Sequence, residues 1–198
     1  MRLARALFIA LALCLGATAL AGDTVGVNGS NVQYPTAKTA TLGDKQFEQK
    51  LTGAGMRKKA IISVYTIGSY VDKEFTGKSP EDLACADCVK QLHLVMQRDV
   101  SGGDMARAFE SGIRANYANE FNDELRRLAA IMETYNVAKG DQVWITNIPG
   151  YGLHINLVGK KQDYVPGVKF SRAVWHIYLG EKNVGEAVKK GLVSRLEQ

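Results

Sequence analysis

The residue best suited to chemistry is Arg57, which follows two glycines in the segment Gly53-Ala54-Gly55-Met56-Arg57. Neither glycine has a Cβ, so the backbone there can pass close to something bulky. A long β-prone run, from Ala60 to Val71, comes next. This order predicts a guanidinium at the mouth of a strand-built cavity, where it could clamp a carboxylate or an enolate for binding or for catalysis. A solvated arginine beside Lys58 and Lys59 is the alternative.

Other catalytic groups give little support for an active site. His93, His154 and His176 stand in a predicted strand, a hairpin strand and a helix. No spacing matches a nucleophilic triad, a zinc-protease motif or a phosphate loop. Because a site needs converging groups, isolated histidines are more often structural. The sequence therefore predicts no metal and no cofactor.

Cys85 and Cys88 form a C-x-x-C pair. Val89 follows where c-type haem attachment needs a histidine, and two thiols with scattered histidines fall short of a structural zinc site. A thioredoxin-like pair opens a helix, whereas this pair ends a short helix that we expect to begin at Ser79. In an oxidising compartment the two cysteines are predicted to form a disulfide with each other, with redox activity as the alternative.

The N-terminus predicts that compartment. Arg2 and Arg5 precede an apolar run from Ala6 to Leu15, and Ala19-Leu20-Ala21 has the small-x-small pattern of a cleavage site. We therefore expect residues 1–21 to be a signal peptide and the mature chain to be periplasmic or secreted. Leu13, just before Cys14, disfavours a lipoprotein. No later apolar run is long enough for a membrane span.

Composition and periodicity predict one domain over residues 22–198. The formal net charge is +5, but basic residues are interspersed with acids, which argues against a nucleic-acid partner. A run of extended segments comes first and a second run comes later, and between them lie two amphipathic helical stripes, Met105-Phe109-Ile113-Tyr117 and Phe121-Leu125-Leu128-Met132-Tyr135. The strands are expected at 32–42, 47–51, 60–71, 90–97, 142–147, 153–158 and just before Pro166, with helices at 170–179 and 184–196. This order indicates an α+β fold with a largely antiparallel sheet and helices on one face.

Several segments resemble the chalcone isomerase family, in its secreted bacterial branch. They are Gly53 to Arg57, Val64 to Val71, Gly77 to Leu83, Lys139-Gly140-Asp141 and Phe170 to Gly180. The resemblance runs from about residue 35 to the C-terminus. It implies an open-faced β-sandwich, in which a large antiparallel sheet is covered by helices.

The resemblance also implies site residues. The plant enzymes of this family cyclise a chalcone to a flavanone, and Arg57 matches the arginine that binds the substrate oxyanion. Their strand threonine aligns with Tyr65, with Thr66 one position away. The polar residues of their first long helix align with Met105, Ala108 and Gly112, and a further hydroxyl residue is replaced by Ile177.

An arginine that faces an apolar cleft suits an amphiphile, and related non-enzymatic members of the fold bind fatty acids. The resemblance thus implies a non-catalytic binding protein for a small, fatty-acid-like acid, with Arg57 on the head group. Tyr65, Thr66 and Tyr117 are the expected further contacts. One alternative is an isomerase-type intramolecular lyase that acts on a chalcone or another conjugated carbonyl. Another is an envelope protein whose cleft takes a protein partner.

Overall fold

The structure is a computed structural model that describes residues 22–42, 44–157 and 160–196. The signal peptide predicted over residues 1–21 lies outside the described residues, as does its cleavage site. Of the helices in the described ranges, none combines the length and the apolar character needed to cross a bilayer.

Seven strands form one antiparallel sheet in which each strand pairs with the next along the chain. They are β3 (Ala37–Leu42), β4 (Lys45–Lys59), β5 (Ile62–Asp72), β6 (Lys90–Met96), β7 (Gln142–Ile148), β8 (Gly152–Leu157) and β9 (Lys161–Pro166). Two short strands, β1 (Thr24–Gly26) and β2 (Gln33–Pro35), form a separate antiparallel ribbon. The helices are α1 (Pro80–Cys85), α2 (Gly102–Tyr117), α3 (Asn122–Met132), α4 (Val168–Leu179) and α5 (Glu186–Leu192). The predicted α+β architecture is confirmed.

The helices cover one face of the sheet, and the main core lies between them. On β6 the alternating residues Leu92, Leu94 and Met96 are all buried and point to this layer. The helical stripes complete the core, with Phe109 and Ile113 of α2 among its buried members. The helix faces predicted from the 3.6-residue period are therefore those that form the core, except that Tyr135, at the end of the second stripe, is 37% exposed.

The ribbon of β1 and β2 covers part of the opposite face. Tyr34 packs against Gly68 of β5, where a Cβ would stand 2.5 Å from the tyrosine ring. Its hydroxyl donates to Thr66 Oγ1 at 2.9 Å. Tyr34, Leu51 and Tyr70 form a small second core there. Part of this face is thus covered by a ribbon whose first strand, β1, was not predicted from the sequence.

The glycine pair lies within a strand, which corrects the prediction that it precedes one. β4 runs through Gly53 and Gly55 to Lys59, and the chain turns at residues 60–61. A Cβ on Gly53 would stand 2.0 Å from the carbonyl oxygen of Gly191 in α5. The bulky neighbour that these glycines admit is therefore a helix of the same chain.

The disulfide predicted between Cys85 and Cys88 is not formed in the structure, and both thiols are free. Cys85 ends α1, and its Sγ donates to Glu81 Oε1 at 2.8 Å. Cys88 lies in the next loop and packs against the main core. The two side chains thus lie in different surroundings although they are close in sequence: the Cys85 thiol faces Glu81, and Cys88 packs against the main core. Burial raises the pKa of both thiols, which favours their protonated form.

Candidate functional site

A cleft of about 660 Å³ lies between the β4–β5 hairpin, the end of β6, helix α2 and the end of α4. It is partly open to solvent, because the α2 side chains that edge it, among them Ala108 and Ser111, are exposed. The loop after α4 closes its far side with Lys182, Asn183 and Val184.

The floor of the cleft is apolar. Five of its side chains are each no more than 6% exposed, and they come from β6, α2 and α4: Leu94, Met96, Met105, Phe109 and Ile177. Gly112 lets Ile177 pack closely against α2, since a Cβ there would stand 2.9 Å from Ile177 Cγ2. A hydrocarbon chain that binds on this floor would be removed from water, and no polar group of the floor would lose its hydration.

One end of the cleft carries hydrogen-bond donors. Arg57 of β4 lies directly opposite Tyr65 of β5 in the strand register, and both line the cleft. The Tyr65 hydroxyl lies 3.4 Å from the hydroxyl of Tyr178, which α4 contributes. One Arg57 nitrogen donates to the Lys58 carbonyl oxygen. The guanidinium keeps further N–H groups that could donate to an anion.

The two phenols remain protonated at neutral pH. Burial raises the pKa of Tyr65, and it raises the pKa of Tyr178 well above its ordinary value. The positive charge of Arg57 opposes both shifts. Arg57 therefore lies with two neutral phenols, of which Tyr65 donates to the Tyr178 oxygen, and the N–H and O–H groups of this set can hold a carboxylate or another oxyanion.

The rim of the cleft is strongly basic. Five cationic side chains line it against a single carboxylate, Asp104, which pairs with Arg107 at 2.6 Å. The cations are Arg57, Lys59, Arg98, Arg107 and Lys182. Such an excess of positive charge favours an anionic ligand.

Six of the residues predicted for the site lie around this cleft. They are Arg57, Tyr65, Met105, Ala108, Gly112 and Ile177.

Thr66 and Tyr117, which were also predicted as ligand contacts, do not line this cleft. Thr66 points to the opposite face of the sheet, toward Tyr34, because neighbouring residues of a strand alternate in direction. Tyr117, in the last turn of α2, hydrogen-bonds His176 Nδ1 and packs edge-on against Phe121.

Sequence reasoning missed Tyr178 and Arg98. Tyr178 directly follows Ile177, which was predicted to line the cleft, so its position in the sequence could have indicated it. Arg98 comes just after β6, and nothing local shows that the chain turns it toward the cleft. Both positions depend on how α4 and the β6–α2 loop pack on the sheet.

A second polar cluster lies outside the cleft lining. Glu81, Cys85 and His176 bring their donor atoms within 4.8 Å of one another, and His176 Nε2 lies 3.1 Å from Glu81 Oε2. Sulfur, nitrogen and carboxylate oxygen could together ligate a metal ion. Burial and the Glu81 hydrogen bond raise the pKa of the Cys85 thiol, so at neutral pH the thiol donates to Glu81.

Comparison with known proteins supports the fold. The sequence model of a family described as chalcone isomerase-like matches residues 27–194. No curated protein matches the sequence. A similar solved structure is the crystal structure of a fatty-acid binding protein from Arabidopsis thaliana, with a TM-score of 0.67 and 16% sequence identity. The match covers 88% of this chain and 97% of that chain. At this identity the likeness shows the shared fold alone.

Proposed function

We propose that this chain, which belongs to the chalcone isomerase-like family, is a non-catalytic binding protein for a small amphiphilic acid of the fatty-acid type. One observation carries the proposal: the same cleft has a cationic end with hydrogen-bond donors and a buried apolar floor. The fatty-acid binding protein of similar fold supports this choice of ligand class.

The donor end fits a carboxylate head group. The Arg57 guanidinium, with the hydroxyls of Tyr65 and Tyr178, offers charge-assisted and neutral hydrogen bonds to two carboxylate oxygens. A hydrogen bond that involves a charged group contributes roughly 1.5–3 kcal/mol. This end therefore sets a preference for acids over uncharged amphiphiles.

The apolar floor fits a hydrocarbon tail. Each methylene group transferred from water contributes about 0.8 kcal/mol. The cleft volume of about 660 Å³ falls inside the range of small-molecule sites, roughly 300–1,000 Å³. Binding strength should therefore rise with chain length until the floor is filled.

The residues aligned with the enzymes' polar positions argue for binding without catalysis. Met105, Ala108, Gly112 and Ile177 offer no side chain that can move a proton. The donor end could still stabilise an oxyanion, which favours an isomerase-type lyase as the second candidate. Loss of chalcone absorbance faster than the uncatalysed rate would establish that activity.

We further propose a periplasmic or secreted location, which the signal-peptide pattern of residues 1–21 supports. Cell fractionation, with the N-terminal residue of the accumulated protein read by mass spectrometry, tests it. An N-terminus near Gly22 in the envelope fraction is expected, and an intact Met1 in the cytosol would contradict it.

The binding proposal is tested by calorimetry with dodecanoate and dodecan-1-ol, and by native mass spectrometry of protein purified without detergent. The wild type should prefer the acid, and Arg57→Ala should weaken acid binding about 10- to 100-fold while leaving the alcohol unchanged. Arg126→Ala is the matched control, because Arg126 lies exposed on α3 and pairs with Asp123. Equal acid binding by all three proteins, or none by any, would rule the proposal out.

A further inference from the structure

The tip of the β4–β5 hairpin is the most exposed apolar point in the described part of the chain. Ile61 is 92% exposed and Ile62 is 54% exposed, whereas the other large exposed apolar side chains there are two separate tyrosines, Tyr135 and Tyr151. Isolated exposed apolar residues are ordinary, but two adjacent aliphatic ones on a projecting turn form a compact apolar tip.

The turn has a sequence that hairpin geometry disfavours. Lys59 pairs with Ile62, so the loop is only two residues long, Ala60 and Ile61. Two-residue loops favour glycine, asparagine or aspartate, because a central residue takes a positive φ. Here Ala60 takes that conformation, with φ 53°, and a β-branched residue follows. Ala60 and Ile61 thus break the residue preference of two-residue hairpin loops, and Ile61 gains no burial within the fold in return. Such an exception points to a function that involves another molecule.

Basic residues flank the apolar tip. Lys58 and Lys59 are exposed, and within the described residues neither forms an ion pair with a carboxylate. An apolar tip with two cations beside it complements the interface of a bilayer, where acyl chains lie beneath anionic phosphates. The charge pattern selects this partner over a second copy of the chain, whose equivalent tip would bring like charges together.

The same hairpin forms one wall of the cleft. Its two arms supply Arg57, Lys59, Val64 and Tyr65, so the tip lies two residues beyond the cleft lining. We propose that Ile61 and Ile62 enter the surface of an anionic membrane, with Lys58 and Lys59 against the phosphates, and that this contact brings the basic rim to the bilayer. The proposed membrane contact is argued from the hairpin alone. That the contact serves to exchange an amphiphilic acid with the membrane rests on the proposed function.

Vesicle co-sedimentation tests the docking. The protein, in the form that the cell accumulates, is mixed with vesicles of phosphatidylcholine alone or with phosphatidylglycerol added. Wild-type protein should bind the anionic vesicles more tightly. Ile61→Ser combined with Ile62→Ser should reduce that binding at least about tenfold, since each isoleucine contributes apolar burial. Lys58→Glu should reduce it about fivefold or more on anionic vesicles only.

Tyr151→Ser is the matched control, because Tyr151 is 48% exposed on the turn between β7 and β8. It should bind vesicles as the wild type does. Circular dichroism melts should show all variants folded, since the substituted side chains are exposed.

Three outcomes would overturn the docking: no vesicle binding by the wild type, equal binding by the serine double variant, or a self-associated wild type that the double variant makes monomeric without any vesicle binding. Dodecanoate affinity in solution separates the two proposals. The serine double variant should keep it unchanged. Vesicle binding by a wild type that does not bind dodecanoate would leave the docking established and refute the proposed function.

Discussion

Gly53 of β4 lies directly against the carbonyl oxygen of Gly191 in α5. A Cβ on Gly53 would stand 2.0 Å from that oxygen, and Gly53 has φ 151°, which favours glycine. The neighbouring Thr52 hydroxyl donates to the Leu192 carbonyl oxygen at 2.7 Å. The glycine before Arg57 therefore allows α5 to pack on β4, while Arg57, four residues later, lines the cleft.

Replacing Gly53 should destabilise the protein through this contact. Gly53→Ala places a methyl group against backbone, which cannot move aside as a flexible side chain could, so we expect a loss of about 1–3 kcal/mol in the free energy of unfolding. Gly103→Ala is the matched control. Its Cβ would meet only the end of Arg107, at 3.4 Å, and alanine favours helix by about 1 kcal/mol. Urea unfolding measures both, and equal stabilities of the two variants would contradict the packing role.

The Tyr178 hydroxyl should contribute to acid binding. Tyr178→Phe removes one O–H donor from the cleft and keeps the ring, so dodecanoate affinity should fall about 2- to 12-fold. Affinity for dodecan-1-ol should change less, because that ligand has no carboxylate. Tyr135→Phe, on a tyrosine that is 37% exposed and does not line the cleft, should leave both affinities unchanged. Calorimetry measures them, and an unchanged Tyr178→Phe protein would remove this residue from the site.

Filling the open side of the cleft should block the tail. Ala108 is exposed on α2 and lines the cleft, so Ala108→Trp adds bulk there without disturbing the core. Long-chain acids should lose more affinity than short ones, since more of their methylenes lie on the floor. Ala130→Trp, at an exposed position of α3, is the control. A uniform loss across chain lengths would show that the tail does not lie along α2.

Stability should fall in mild acid because of His93. Burial, together with the Lys38 charge, lowers the pKa of His93 to about 3, below its ordinary value of about 6.5. Between these two values the unfolded chain binds more protons, so the free energy of unfolding decreases as the pH falls below about 6.5. The slope that one such group adds is at most about 1.4 kcal/mol per pH unit.

His93→Gln should flatten this acid dependence, since glutamine does not titrate. Urea unfolding at pH 7 and pH 5 measures the difference between the variant and the wild type. Burial lowers the pKa of His154 too, so the variant keeps part of the slope. Identical slopes in the two proteins would show that His93 titrates normally when folded.

The cleft was predictable in part because local pattern and strand geometry limit the choices. Either Tyr65 or Thr66 had to face the helices, since adjacent strand residues point to opposite faces. Sequence alone did not decide between them. In the sheet, Tyr65 pairs with Arg57 of β4 on one side and with Met96 of β6 on the other. Its side chain therefore faces the cleft, and the side chain of Thr66 faces Tyr34.

The sequence by itself determined the α+β class, the buried faces of the long helices and the family resemblance. Those features follow from side-chain periodicity and short motifs, which act over a few residues. The tertiary structure decided which distant groups meet: Gly53 with Gly191, Tyr65 with Tyr178, and Glu81 with His176. Such meetings depend on how helices pack across the sheet, and no local period encodes the partner that a buried side chain finds on another element.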